Sequence, residues 1–149
     1  PLYGRSQVPG LARLQGQPVG VLANDCVHQG GAMTADGARK LRRFVESCDA
    51  FHLPILSLVD EPGFMIGPDA ERAATIRFGM EALFAVQQTR VPWLAVVLRK
   101  SYGVAQGLHY GPGCTVLAWP SMRSGALPVE SGLPRYLEWV ASETQRVVV

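Results

Sequence analysis

The sequence predicts an α/β domain with a largely parallel sheet covered by helices. Three observations carry this. Gln17 to Ala23, Ile55 to Val59 and Trp93 to Leu98 are short, predominantly apolar runs, as buried strands are. The stretches between them repeat apolar residues every three or four positions, the helical period. Clusters of Gly and Pro mark the changes from one period to the other. Such alternation indicates parallel strands with helices on both faces. With 149 residues, 48% of them hydrophobic, residues 1–149 suit a single domain with a sizeable core.

Gln17 to Ala23, between Gly16 and Asn24-Asp25, is the first strand expected. Asp25 to Met33 reads as loop, loosest at Gly30-Gly31. Thr34 is the expected cap of a helix reaching about Phe51, with Ala38, Leu41, Phe44, Val45, Cys48 and Phe51 on one face. Pro54 precedes the second strand, Ile55 to Val59. Pro and Gly in Asp60 to Gly67 demand a turn. A second helix, capped by Asp69, should run to about Gln88 with Ala73, Ile76, Met80, Leu83 and Phe84 as its apolar stripe. Trp93 to Leu98 is the third strand, and Arg99 to Gly103 a turn opening a short helix that ends near Gly111-Pro-Gly113. Val116 to Trp119 is the fourth strand; residues 133–149 carry weak periodicity. Right-handed crossovers put the turns at Asp60 to Gly67 and Lys100 to Ala105 on one rim, where open α/β folds bind ligands.

Composition narrows the function. The formal net charge is +2 with 17% charged residues, which leaves no basic face for nucleic acid. Arg39, Lys40, Arg42 and Arg43 read as a solvated helix face. Cys26, Cys48 and Cys114 are odd in number and far apart, so reduced thiols in a cytosol-like compartment are expected. No apolar run reaches the roughly 18 residues needed to span a bilayer. No signal peptide is expected, and the abrupt start reads as part of something larger. His28, His52 and His109 lack metal-ligand spacing, and no Gly-x-Ser-x-Gly elbow or phosphate-binding loop occurs. Asp60 and Glu61 stand at a strand end, where a carboxylate acts as a base or caps a loop; the four methionines read as packing.

The turn Lys100-Ser-Tyr-Gly-Val-Ala-Gln106 carries the most chemistry. Gly after a strand lets the chain turn tightly and presents successive N–H groups at a helix start, a positive potential without a charged side chain. Amides aimed at a developing oxyanion are strong catalytic devices.

Four segments resemble one family in order. Gly16 to Asp25 is similar to the opening strand of the C-terminal domain of acyl-CoA carboxylase β chains. Leu56-Ser-Leu-Val-Asp-Glu-Pro-Gly-Phe64 resembles that family's Val-Asp-Thr-Pro-Gly-Phe signature. Val97-Leu-Arg-Lys-Ser-Tyr-Gly-Val-Ala105 resembles its Arg-Lys-Ala-Tyr-Gly-Gly-Ala turn. Ala118 to Ser121 and Gly125 to Glu130 fit the strand and loop that follow. Together they cover residues about 10 to 132.

The resemblance implies a crotonase-like (ClpP/crotonase) β-α-β fold. It implies a carboxyltransferase component that moves CO2 from carboxybiotin to the α-carbon of an acyl-CoA such as propionyl-CoA or methylcrotonyl-CoA. The implied site is shared: an N-terminal domain of a partner chain holds the thioester, and the C-terminal domain receives biotin. Residue by residue, the backbone amides of Val104 and Ala105 match the hole facing the ureido oxygen. Tyr102 and Gly103 shape that turn, and Gly63 and Phe64 lie on the neighbouring loop. Implied partners are a biotin carboxyl carrier with its biotin carboxylase, and further copies in a homo- or hetero-oligomer based on trimers. The implied location is cytoplasmic, or the mitochondrial matrix in a eukaryote.

Two of the sequence's departures from the pattern bear directly on the implied site. Val104 replaces a Gly, so its N–H survives beside a branched side chain. Gly107 stands where family members carry a larger residue lining the acyl pocket, which implies room for a bulky acyl group. Alternatives stay open: a biotin-dependent decarboxylase or transcarboxylase subunit, or a non-catalytic scaffold paired with a complete β chain. A hydratase would need a Glu pair near the turn, and none occurs.

Overall fold

A computed structural model describes residues 3–126. Its described elements form a six-stranded, mostly parallel sheet with two long helices on one face. In chain order these are β1 (Gln7–Leu14), β2 (Gln17–Asn24), α1 (Ala35–Ala50), β3 (Ile55–Glu61), α2 (Pro68–Arg72), α3 (Thr75–Gln88), β4 (Trp93–Tyr102), a 3-10 helix (Val104–His109), β5 (Thr115–Ala118) and β6 (Arg123–Gly125). The sheet order is β1-β2-β3-β4-β5, with β6 also on β4. Only the β1–β2 pair is antiparallel.

The hairpin strand β1 was not among the expected elements. Gln15 and Gly16 both take positive φ, 48° and 83°, as a two-residue hairpin turn requires. Pro9 and Gly10 disguise the strand in the sequence, and Pro is tolerated because β1 lies at the sheet edge. The short strand β6 was also unforeseen. β4 extends through Arg99 to Tyr102, residues expected to form a turn, because they pair along β3 and β6.

Thr34 caps α1 as expected: its Oγ1 accepts from Gly37 N at 3.0 Å. Ala38, Leu41, Val45 and Cys48 are buried, whereas Phe51 lies past the helix and is exposed. The expected second helix is two. Ala74 takes a left-handed conformation (φ 57°, ψ 42°) between α2 and α3, while Thr75 Oγ1 donates to Ala70 O at 2.8 Å. Gly67 rather than Asp69 holds the cap position; Asp69 sits in the first turn.

α3 also faces differently from its expected stripe. Thr75, Gly79, Ala82 and Val86 point inward, and Ile76, Met80 and Phe84 are exposed. Small residues decide this. A Cβ on Gly79 would overlap the Phe64 ring, so α3 sits too close for bulkier side chains on that face.

The core joins Leu22, Ile55 and Trp93 of the sheet to Leu41 and Val45 of α1 and Ala82 and Val86 of α3. Both helices therefore cover the same face. Strands added in one direction with right-handed crossovers put successive helices on one side. Helices on both faces were expected; among the described residues, Leu56, Leu58 and Val96 on the other face stay partly exposed.

Lys40 departs from the solvated face read for its basic cluster. It is buried, and its Nζ donates to Gly4 O at 2.8 Å and Gln7 O at 2.9 Å. Arg42 pairs with Glu46 and Glu81, and Arg39 pairs with Asp36 while stacking on Phe78. The three cysteines are free. No described helix is long and apolar enough to cross a membrane. Residues 133–149 lie outside the described residues.

Candidate active site

β3 and β4 run parallel, so their C-terminal ends share a rim. At the end of β3, Pro62 and Gly63 turn the chain, with Gly63 at φ 126°. The Gly63 carbonyl accepts from Met33 N at 2.9 Å, and Met65 N donates to Met33 O at 2.8 Å. At the end of β4, Gly103 takes φ 62° and ψ −163°, which suits only glycine, and its N–H donates to Gly125 O at 3.0 Å. The 3-10 helix starts on the next residue. Its first N–H groups have no acceptor within the helix. Among the described residues, neither Val104 N nor Ala105 N has an acceptor outside it either.

The two residues are not presented equally: Val104 is 60% exposed, whereas Ala105 is 0% exposed. Tyr102 is buried beside Gly125. Phe64 turns its ring into α3 against Gly79. Gly107 faces α3, where an added Cβ would stand 3.1 Å from Leu83 Cδ1. The structure thus gathers Gly63, Gly103 and Val104 around the rim and directs Phe64 and Gly107 toward α3.

Beneath the rim lies a polar network that no spacing in the sequence reveals. Glu61, the last residue of β3, and His109, the last of the 3-10 helix, have no exposed surface. Glu61 Oε1 accepts from Gly63 N at 3.0 Å. Its Oε2 accepts from Asn24 Nδ2 at 3.1 Å and lies 3.4 Å from both Gln7 Nε2 and His109 Nε2. His109 Nδ1 is 2.9 Å from Ser57 Oγ. With the ring proton on Nε2, both nitrogens are matched: Nε2 donates to the carboxylate, and Ser57 donates to Nδ1. Ser, His and Glu in a row resemble a hydrolase relay, yet all three are sealed from solvent, so Ser57 cannot meet a substrate. In β3 the pattern could only flag them weakly: Ser57 and Glu61 occupy inward positions of an alternating strand.

Asp60 is equally committed. It accepts from Arg99 Nε, from Lys100 N at 3.2 Å and from Cys26 Sγ at 3.1 Å. Burial, then the Asp60 hydrogen bond, pushes the Cys26 thiol above its ordinary range, which makes it a poor nucleophile. The same carboxylate raises the Arg99 guanidinium further. Neither acid read at this strand end stands free as a base: Glu61 caps the Gly63 turn, whereas Asp60 is bonded to Arg99 and Lys100 of β4 and to Cys26.

An open cleft of about 1080 Å³ lies beside α1 and α2, with Arg5, His28, Thr34, Met65 and Asp69 in its wall. None of the expected site residues lines it. Arg39 and Arg72, also in its wall, are paired with Asp36 and Asp69. Among the described residues, no group of three or more His, Cys, Asp or Glu could hold a metal ion.

Comparison with known proteins matches these same turns. The chain is 40% identical over 136 residues to an uncharacterized carboxylase, YngE, of Bacillus subtilis (89% of this chain, 26% of the relative). It is 46% identical over 122 residues to the propionyl-CoA carboxylase beta chain of Cereibacter sphaeroides (80% of this chain, 24% of the relative). Among solved structures, transcarboxylase 12S superposes with a TM-score of 0.80 at 35% identity, over 84% of this chain and 25% of that one. The beta subunit of P. aeruginosa geranyl-CoA carboxylase gives 0.82 at 31% identity, over 93% and 26%. The chain spans about a quarter of the length of these relatives. The fold is thus crotonase-like, as the resemblance implied. Residues 1–132, which include both rim turns and the network that ties them, match the carboxyl transferase domain, and the chain belongs to that family.

Proposed function

We propose that this chain forms the biotin side of a carboxyltransferase that moves CO2 from carboxybiotin to the α-carbon of an acyl-CoA. The observation that carries the reading is the Gly103 turn, where the family match coincides with helix-start amides that lack an acceptor among the described residues. Among the described residues, no atom lies within 4 Å of a Cβ position on Gly63, and only Ala126 O, at 3.6 Å, lies near one on Gly103. A side chain at either position would fill that space.

Carboxybiotin supplies activated CO2 when bound; the chain supplies shape and dipoles. Gly63 and Gly103 keep the rim open. The Val104 N–H, without an acceptor among the described residues, is the donor offered to a developing oxyanion. Ala105 has no exposed surface, so the structure offers the Val104 amide at the rim and keeps the Ala105 amide covered. Propionyl-CoA, methylcrotonyl-CoA or a similar thioester is the acceptor class, held by the N-terminal domain of a partner chain. A biotin carboxyl carrier delivers the donor within an oligomer. Three free thiols suit a reducing, cytoplasmic setting.

A scaffold role is the second reading, supported by the branched Val104 and the covered Ala105. One experiment separates the two. The chain is combined with the acyl-CoA half, acyl-CoA and a carrier charged with labelled carboxylate. Label in the acyl-CoA that requires this chain supports transfer; none, with free biotin failing to perturb the Gly103 turn, leaves the scaffold.

A further inference from the structure

Glu61 and His109 take no part in the chemistry above, yet they bury a carboxylate and an imidazole with no exposed surface. Polar groups in such a place are costly unless every partner is supplied, and apolar residues would serve packing as well. What the polar groups add is a fixed geometry. The two oxygens of Glu61 divide their work between the two rim turns. Oε1 holds Gly63 N directly, at 3.0 Å. Oε2 faces His109 Nε2 at 3.4 Å, and His109 ends the 3-10 helix that Val104 begins. The start of that helix is tied to the same place. Ser101, the sheet partner of Glu61, donates from Oγ to Gln106 Oε1 at 3.0 Å and lies 2.6 Å from Tyr110 Oη.

We infer that Glu61 is a positioning residue that sets both rim turns through one carboxylate, Gly63 by a direct bond and Val104 by way of His109. This rests on the carboxyl-transfer reading, since it makes the relative placement of the two turns matter to rate. One consequence is independent of that reading: the Gly63 and Val104 amides respond together to a change at residue 61.

The test uses Glu61→Gln, His109→Gln and His109→Phe in the full chain, each read in two ways. Amide nuclear magnetic resonance of the labelled chain follows Gly63 and Val104. The labelled-carboxylate assay, with the acyl-CoA half and charged carrier, follows kcat and KM. Glu61→Gln should shift both amide signals. It should also lower kcat by about 10²-fold, the scale of one displaced oxyanion donor, with the acyl-CoA KM kept within about twofold. His109→Gln keeps a donor toward Glu61 and should retain more activity than His109→Phe, which has none. A Val104 signal that stays in place while Gly63 moves overturns the inference, as does His109→Phe at wild-type kcat. Should Glu61→Gln fail to fold, the paired His109 variants decide between the same two outcomes. A wild-type assembly that transfers no label removes the function reading, and the amide comparison still judges the coupling.

Discussion

The Phe64 ring occupies the space that a side chain on Gly79 would take. Phe64 follows the rim glycine, and Gly79 lies in the middle of α3, so this contact seats the rim loop on the helix. The loop is also bridged through its backbone to Met33. Together these contacts hold the approach to β3 in place.

Gly79→Ala should therefore destabilise the chain by about 1–3 kcal/mol through overpacking, measured by chemical denaturation. Phe64→Ala costs stability of its own, but in that background the Gly79→Ala penalty should shrink, because the added methyl then has room. A strictly additive double variant would mean the two residues do not share that space.

Val104→Pro removes one N–H at the first position of the 3-10 helix, where Pro is well tolerated. Thermal stability should change little, while carboxyl transfer falls by about 10²–10³-fold in kcat. Wild-type turnover in a folded variant would show that the Val104 N–H takes no part.

Ala74 holds a left-handed conformation between α2 and α3. Ala74→Gly should stabilise the chain by up to about 1 kcal/mol, since glycine has no Cβ to strain there. The added freedom of an unfolded glycine opposes this, so the measured gain reports the difference.

Burial raises the Cys48 thiol from 9.0 to about 11. The unfolded chain loses this proton near 9.0, whereas the folded chain keeps it. The resulting stability is complete below pH 9 and is lost as pH climbs to about 11, on the order of 2–3 kcal/mol in all. Denaturation midpoints across that window check it. Cys48→Ala should flatten this part of the curve, leaving the smaller alkaline contributions of Cys26, Cys114 and Tyr110, whose protons are also held by burial.

Much of the layout was legible because strand runs and helix periods are local. The inward residues of β3 and β4 and the Thr34 cap fall where the pattern puts them. What escaped depended on contacts distant in sequence. β1 hid behind Pro9 and Gly10, and the inward face of α3 was set by Phe64, which the helical period cannot see. Lys40 looked solvated because nothing local signals that the carbonyls of Gly4 and Gln7 converge on it. The two site turns were visible as Pro/Gly breaks. The link between Glu61 and His109, 48 residues apart, had no local mark.

The pairing of β3 with β4 shifts between Val59↔Val97 and Glu61↔Ser101. β3 advances two residues there (61 − 59) while β4 advances four (101 − 97), so β4 carries two extra. An even surplus preserves parity, and Ser101 keeps the inward orientation that Val97 has. Removing one residue from Leu98 to Lys100 would invert everything downstream, turning Ser101 outward and carrying the amides after Gly103 to the opposite side. Natural length variation in this segment should therefore come in pairs.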